Sequence, residues 1–381
     1  MIIRDVNIYK ISAKIDRPFK FSQGWVHERS SVIVQVVGED GTCGFGESMC
    51  HGQQSPHLSA AFLENCYKPD VIGKDSLDAE VIWETLYNKT RPFGQRGIAI
   101  NALSGLDIAL WDLNGKQLNQ PVSRLIGGRF REKLLAYATG FYRYEGVEYP
   151  EAAVLEALAL KAKGFKGMKL KLGFTPEADI ECVRAVRKAI GPGIMLMADF
   201  NACYNQATAR RIIKELEPEK IYFFEEPLTP EDRNGYCAIR NLSSSYIAAG
   251  EEIFGKYHMN EWLQAGALDI YQPDLCSSGG FTECKKMAAI AQAYNCAVIP
   301  HAWGSGVGLA AALQFISSLP AAPLCDTPVE LMLEFDQSNH PFRLDLINNG
   351  ILVKDGYIYV PDKPGIGVDV NMSVLEKYKL D

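Results

Sequence analysis

Three acidic residues, Asp199, Glu225 and Glu251, recur 26 residues apart, and each follows an apolar run that reads as a β-strand. The runs are Ile194-Met195-Leu196-Met197-Ala198, Ile221-Tyr222-Phe223-Phe224 and Tyr246-Ile247-Ala248-Ala249. A period of this length fits one strand plus one return helix. Consecutive parallel strands that each end in a carboxylate place three hard oxygen donors at one end of a barrel, the donor set of a magnesium-like divalent ion. In a (β/α)8 barrel that end is where chemistry is expected.

The same alternation extends through most of the chain. Further strands are read at Leu134–Tyr137, Gly167–Leu172, Leu268–Tyr271 and Ala297–Ile299, with an eighth near Val329–Glu334. Helices are read at Glu177–Ala189, Gln206–Leu216 and Phe281–Tyr294. Ahead of this region, Ile2–Ile11 and Ser31–Val37 alternate like antiparallel strands, with a hairpin turn at Gly38-Glu39-Asp40-Gly41 and a helical pattern over Gly97–Leu118. The expected fold is α/β, a (β/α)8-type (modified TIM) barrel with an N-terminal α+β capping domain. Residues 1–125 form the cap and 126–349 the catalytic barrel. Residues 350–381 resume short strands and turns and are expected to complete the cap.

The formal net charge of −7 leaves no basic face for nucleic acid. No stretch of 18 or more apolar residues suggests a membrane span, and the N-terminal residues lack the layout of a secretory signal. Ten cysteines without a Cys-x-x-Cys pair argue for buried thiols in a reducing cytoplasm rather than zinc or disulfides. The expected partner is a small-molecule carboxylate, and the expected assembly a homo-oligomer.

The strand ends carry more than the three acids. Lys169-Leu170-Lys171 puts two lysines on one face of the second barrel strand. Enclosed between neighbouring strands, each would depress the pKa of the other and make one a usable base. Asn201 stands two residues beyond Asp199, Glu225-Glu226-Pro227 ends the fourth strand, and Gly250-Glu251-Glu252 ends the fifth. The sixth and seventh strands lead into Gln272-Pro273-Asp274 and Pro300-His301, so Asp274 falls beside His301, where a carboxylate fixes the imidazole tautomer and raises its basicity. A rival reading takes Gly304-Ser305-Gly306-Val307-Gly308 as a phosphate-binding loop, although the lysine pair has no role in it.

The ordered set Lys-x-Lys, Asp-x-Asn, Glu-Glu-Pro, Gly-Glu, Asp and His resembles the mandelate racemase subgroup of the enolase superfamily. The resemblance runs from the helix Ser104-Gly105-Leu106-Asp107-Ile108-Ala109-Leu110-Trp111-Asp112 to Pro364-Gly365-Ile366-Gly367-Val368. It implies that Asp199, Glu225 and Glu251 hold one Mg2+ per active site, and that Lys171 and the His301–Asp274 pair act as acid/base groups on opposite faces of the substrate. It also implies that Lys169 sits near the substrate carboxylate and that Glu334, or Glu330, donates to the enolate oxygen. The sister muconate cycloisomerases carry a lysine after the sixth strand, and none occurs between Gln272 and Glu283.

Within the subgroup, several stretches are most similar to galactarolactone cycloisomerases: Gly94-Gln95-Arg96-Gly97, Pro273-Asp274-Leu275-Cys276, His301-Ala302-Trp303-Gly304-Ser305-Gly306-Val307, and Glu334-Phe335-Asp336 with Pro341-Phe342-Arg343. The implied reaction is abstraction of the proton α to a carboxylate, through an enediolate, on a sugar diacid or its lactone, ending in lactone opening. Dehydration and racemisation share the first step. Substrate contacts are expected from Asn201, Arg96, His51, Trp25 and Trp303, the cap supplying its share through Phe21–Arg29, Cys50–Gln53 and Phe93.

Overall fold

In the computed structural model, which describes residues 1–321, 326, 328–348 and 350–381, the alternating N-terminal segment folds into three antiparallel strands in the order β1 (Ile3–Phe21), β2 (Gly24–Gly38) and β3 (Cys43–Met49). β1 runs ten residues beyond the alternation legible in the sequence. Its far end stays paired with β2 through a register shift between Lys14 and Phe19, and ends on Phe21 opposite Gly24.

The helix Ile98–Gln117 lies on β3 at very short range. A Cβ added to Gly44 would fall 2.1 Å from the Ala109 carbonyl oxygen, and one on Gly46 2.1 Å from that of Gly105. Close backbone approach, rather than a special turn, therefore demands glycine at both positions. Val32, Val34 and Val36 of β2, together with Trp83 and Leu103 from the cap helices, build a core separate from that of the barrel.

The second region is a parallel barrel of eight strands: β4 (Lys133–Gly140), β5 (Gly167–Lys171), β6 (Met195–Asp199), β7 (Phe223–Glu225), β8 (Tyr246–Ala249), β9 (Ile270–Tyr271), β10 (Ala297–Val298) and β11 (Met332–Asp336). Neighbours pair in sequence order from β4 to β10, and β11 closes onto β4 with Glu334 opposite Tyr137. A helix returns the chain after each of the first seven strands, the last being the fully buried Gly306–Ser317. β10 and β11 share no ladder among the described residues. The alternation of sequence period thus yields a mainly parallel barrel capped by an antiparallel sheet.

The C-terminal segment touches both regions. β12 (Val353–Lys354) and β13 (Tyr357–Tyr359) form a hairpin, and β13 pairs antiparallel with Lys133–Leu135 of β4. The reason is that β4 begins before its ladder with β5 does, at Tyr137 opposite Gly167, so its first residues offer unpaired backbone groups on that edge. The chain then returns to the cap, where Ile366 N donates to Asp112 Oδ1 (2.8 Å) and Leu380 N to Lys10 O (2.8 Å). The barrel limit expected at 349 falls outside the described residues. Among the described residues no helix is long and apolar enough to cross a membrane.

Because Gly46 abuts helix backbone, which cannot swing aside, Gly46→Ala is expected to lower stability by about 1–3 kcal/mol. Denaturant unfolding should show an earlier midpoint with an unchanged slope, and an unmoved midpoint would contradict the close packing described.

Candidate active site

Register assembles the site. The β5–β6 ladder sets Lys171 beside Asp199, and the β6–β7 ladder sets Asp199 beside Glu225. Glu251 follows β8 by two residues, and a parallel bridge brings Asp274 beside His301 beyond β9 and β10. The chain leaves these strands sharply. Asn201, Ala202 and Glu226 have φ of 45°, 58° and 41°, sparsely populated for side-chain-bearing residues and typical of strained functional loops. The turns are held by backbone hydrogen bonds from Phe200 N to Glu225 O (3.0 Å) and from Ala202 N to Glu226 O (2.8 Å).

The side chains so placed are buried and mostly charged. Lys169, fully buried, lies 2.6 Å from Glu225 Oε1, 2.9 Å from Glu334 Oε1 and 3.4 Å from Asp199 Oδ2. Lys171 lies 2.5 Å from Asp199 Oδ2 and 3.1 Å from Asn201 Oδ1. Thr139 Oγ1 donates to Glu334 (2.5 Å), and Gln272 Nε2 to Glu225 Oε2 (2.8 Å). His301 is held on both ring nitrogens, with Nδ1 2.7 Å from Asp274 Oδ2 and Nε2 2.9 Å from Glu251 Oε2. Asp274 is itself fixed by the Cys276 N–H (2.6 Å).

Burial and neighbouring charge then set the protonation states. Burial pushes the Glu225 carboxyl up to about 8, with Asp199 adding to the rise. Burial also lifts Glu226 well above the usual range, near Glu251 and Glu252. For His301, burial favours the neutral ring, but Glu251, Glu334 and Asp274 outweigh it and raise the pKa well above its ordinary value. Lys169 does depress Lys171 as expected, but neighbouring carboxylates reverse the net shift of both lysines. Burial does lower Lys169, yet Glu225, Glu334 and Asp199 overcome it, and Asp199 does the same for Lys171, so both are raised. Carboxylates outnumber ammoniums here, which a count of the Lys-x-Lys tripeptide alone could not reveal.

Asp199, Glu225 and Glu251 supply the all-oxygen donor chemistry of a hard divalent ion. The cluster as a whole sets five buried carboxylates (these three, Asp274 and Glu334) against Lys169, Lys171 and His301, an excess of negative charge in a low-dielectric site. A carboxylate oxygen of Glu226 is buried without a hydrogen-bond partner. As they stand, no three acidic, histidine or cysteine side chains among the described residues are grouped tightly enough to hold an ion. Lys171 engages Asp199 and His301 engages Glu251, so each carboxylate would exchange a cationic partner for a metal.

A cavity of about 270 Å³ opens over this cluster. The barrel lines it with Lys171, Asn201, Glu251, Glu252 and His301, together with Tyr142 and Trp303. The cap contributes Phe21, Gln23, His51, Gly52 and Gln53. His51 and Trp303 are therefore brought to the site along with Asn201. Trp25 is 37 % exposed on the β1–β2 hairpin and does not line the cavity. Arg96 lines a neighbouring cavity instead, whose wall shares His51 and Glu252. Glu334 is buried in the cluster, whereas Glu330 is exposed ahead of β11.

Two cap residues hold the loop after β10: Glu47, which no sequence signal marks, and Arg29, at the end of a segment expected to contact substrate. Fully buried Glu47 of β3 accepts from Ser305 N (2.9 Å), Ser305 Oγ (2.6 Å) and Gly308 N (2.8 Å). The protein's own carboxylate thus takes the N–H groups at the start of the helix Gly306–Ser317, and a Cβ on Gly304 or Gly308 would meet it at 2.8 Å. The phosphate-loop reading of Gly304–Gly308 is overturned on this ground, since an anion already occupies the helix N-terminus. Arg29 of β2 stacks on Trp303 (3.4 Å to the ring centroid), donates to its carbonyl (2.5 Å) and faces Asp336 at 4.0 Å. Trp303 Nε1 donates to Tyr142 OH (2.9 Å), which donates to Asp336 Oδ1 (3.1 Å). Arg343 completes the ion pair with Asp336.

Residues 3–127 match the model of the mandelate racemase / muconate lactonizing enzyme N-terminal domain, and residues 152–374 that of the enolase C-terminal domain-like family. The chain is 38% identical over 380 residues to a D-galactarolactone cycloisomerase from Agrobacterium fabrum, covering 100% of this chain and 99% of the relative. It is 30% identical to an arabinonate dehydratase from Saccharolobus solfataricus, covering 99% of each. Among solved structures, the 3,6-anhydro-D-galactonate cycloisomerase from Zobellia galactanivorans superposes with a TM-score of 0.89 at 34% identity, covering 100% of both chains. A racemase from Streptomyces coelicolor A3(2) with bound magnesium superposes with a TM-score of 0.88 at 25% identity, again over 100% of both.

The ion pair behind the cavity makes a pH-dependent prediction. Burial raises the Asp336 carboxyl, but Arg343 and Arg29 outweigh it and hold it at about 2, below its ordinary value near 3.9. A depressed carboxyl adds stability that is fully present above about pH 4 and is lost as pH falls through about 2. Asp336→Asn, which strands two buried guanidiniums, should cost roughly 3 kcal/mol at neutral pH. The gap in unfolding free energy between wild type and variant should narrow as pH drops from 4 toward 2, and a gap independent of pH would contradict the pairing.

Proposed function

The chain belongs to the mandelate racemase / muconate lactonizing enzyme family of the enolase superfamily, and from that premise we propose that it abstracts the proton α to the carboxylate of a sugar acid lactone, with Mg2+ as cofactor, and opens the ring by β-elimination. Its relatives are sugar-acid cycloisomerases and dehydratases, so it is an enzyme of the isomerase or lyase kind. The observation that carries the reading is a pair of basic groups reaching one cavity from β5 and from the loop after β10. They are Lys171 and His301, with a cluster of carboxylates between them.

Removing a proton next to a carboxylate creates an enediolate with two negative charges, which no neutral site tolerates. Asp199, Glu225 and Glu251 would hold Mg2+, which supplies electrostatic stabilisation of that charge when bound. The bound magnesium of the Streptomyces coelicolor racemase supports this choice of ion. The rest falls to the chain's own groups. Asp274 accepts from His301 Nδ1 and so keeps Nε2 directed at the cavity. Lys171 carries or receives the proton on the other side, while Asn201 orients its ammonium (3.1 Å). Lys169 lies at the base, where it offsets charge on the substrate carboxylate. Glu334 is positioned by Thr139 and by the Ala302 N–H (3.2 Å). One base takes the α-proton, and the other protonates carbon or assists the leaving group. Tyr142 and Trp303 keep water from one side of the cavity.

Loss of a β-carboxylate gives cycloisomerisation, which the 38% identical relative supports. Loss of a β-hydroxyl gives dehydration, which the arabinonate dehydratase supports as the second reading.

Exhaustive chelation should abolish turnover of sugar-acid lactones, and added Mg2+ should restore it. Loss of a bound general Lewis acid is expected to cost several orders of magnitude, and full activity after chelation would remove the metal from the account.

A further inference from the structure

We infer that the substrate of this site carries a single carboxylate, next to the reacting carbon, and meets the cap with an uncharged end (a lactone ring, an anhydro ring or a polyol chain) rather than with a second carboxylate. This rests on the proposed function and narrows its substrate class. The observation behind it is the distribution of cations around the cavity.

The wall contributed by the cap holds Phe21, Gln23, His51, Gly52 and Gln53, and among the described residues it includes no lysine or arginine. The two glutamines are already tied into the wall, Gln23 Nε2 donating to Asn201 O (3.0 Å) and Gln53 Nε2 to Gln23 O (3.3 Å). Amides of this kind suit hydroxyls and ester oxygens, which bring no charge to be neutralised.

The cations that do line the cavity, Lys171 and His301, come from the barrel and are the proposed acid/base groups, so they serve the reacting carbon even where a metal releases them from Asp199 and Glu251. Asp274 stays on His301 Nδ1 and Asn201 on Lys171, which hold both groups at the barrel side of the cavity. Arg29 is sealed behind Trp303, donating to its carbonyl. Arg96 belongs to a separate cavity of about 680 Å³, on the far side of His51 and Glu252. Glu252 itself lines both spaces and so adds no cation to either. A second carboxylate at the cap wall would lose water without gaining a cation.

The same asymmetry gives ring opening a direction. The α C–H electron pair becomes the C=C bond of the enediolate, and the proton goes to the base. The C–O bond to the β-acyloxy oxygen breaks, and its electrons leave with the new carboxylate. The enol then becomes the ketone, and the net proton passes to solvent. A singly charged lactone thereby becomes a doubly charged product whose new carboxylate lies at the end of the cavity that offers it no cation, which favours its release.

The test compares two six-carbon acids of the same configuration, D-galactonate with one carboxylate and D-galactarate with two. The magnesium-loaded wild-type protein is titrated calorimetrically with each, and α-proton exchange in D2O is followed in parallel. D-galactonate is expected to bind at least ~10-fold more tightly, the scale of one uncompensated charge contact. Gln53→Arg, which adds a cation to the cap wall, should shift the ratio by at least ~10-fold toward D-galactarate. Equal or tighter binding of D-galactarate by the wild type, binding of neither acid, or a ratio untouched by Gln53→Arg would each overturn the inference. If the predicted ratio is found but neither these acids nor D-galactaro-1,4-lactone exchanges its α-proton, the charge assignment stands and the catalytic reading falls.

Discussion

Everything at the barrel mouth depends on an excess of buried carboxylate over buried cation. Asp199, Glu225, Glu251, Asp274 and Glu334 are all largely withdrawn from water, and Lys169, Lys171 and His301 are the cations set among them. Charge of this density in a low-dielectric space is costly unless each group is paired. The pairing accounts for the fixed positions of the two groups best suited to move protons. Lys171 is anchored by Asp199, and His301 by Asp274 and Glu251. An incoming divalent ion would relieve the same excess, so a single electrostatic constraint serves both the stability of the site and its proposed chemistry.

The cap is more than a cover. Glu47 reaches from β3 to the N–H groups of Ser305 and Gly308, and Arg29 reaches from β2 to Trp303 and Asp336. Trp303, Ser305 and Gly308 all fall within seven residues of His301 along the chain. The glycines that let helix Ile98–Gln117 lie on β3 fix the strand from which Glu47 projects. Sequence features remote from the chemistry therefore set how firmly His301 is held. The stack of Arg29 on Trp303 also keeps that guanidinium away from the cavity, which leaves the cap face uncharged.

How much of this was legible depended on distance along the chain. The 26-residue spacing of the acids could be read because one strand and one helix make the repeating unit, and the side chain ending each strand keeps its phase. Asp274 beside His301 followed from adjacency of consecutive parallel strands. Glu47 was beyond reach, since its partners lie some 258 residues away and no periodicity links them. Trp25 and Arg96 sit in segments that do face the barrel mouth, but which side chain of a loop turns inward is a matter of tertiary packing. The raised pKa of the lysines was hidden for a related reason. The tripeptide shows two like charges, and only the assembled barrel shows the carboxylates of β6, β7 and β11 around them. The C-terminal hairpin paired with β4 because that strand starts early, a register detail that strand propensity does not encode.

The central claim is that Lys171 and His301 serve one substrate from opposite sides, and α-proton exchange in D2O measures it most directly. For a turned-over sugar-acid lactone with Mg2+, Lys171→Ala and His301→Asn should each lose turnover by about 10²-fold or more. One of the two variants should still exchange the α-proton of a given stereoisomer, because its abstracting base remains. Near-normal turnover in either variant would contradict the two-base arrangement and require a single base in its place.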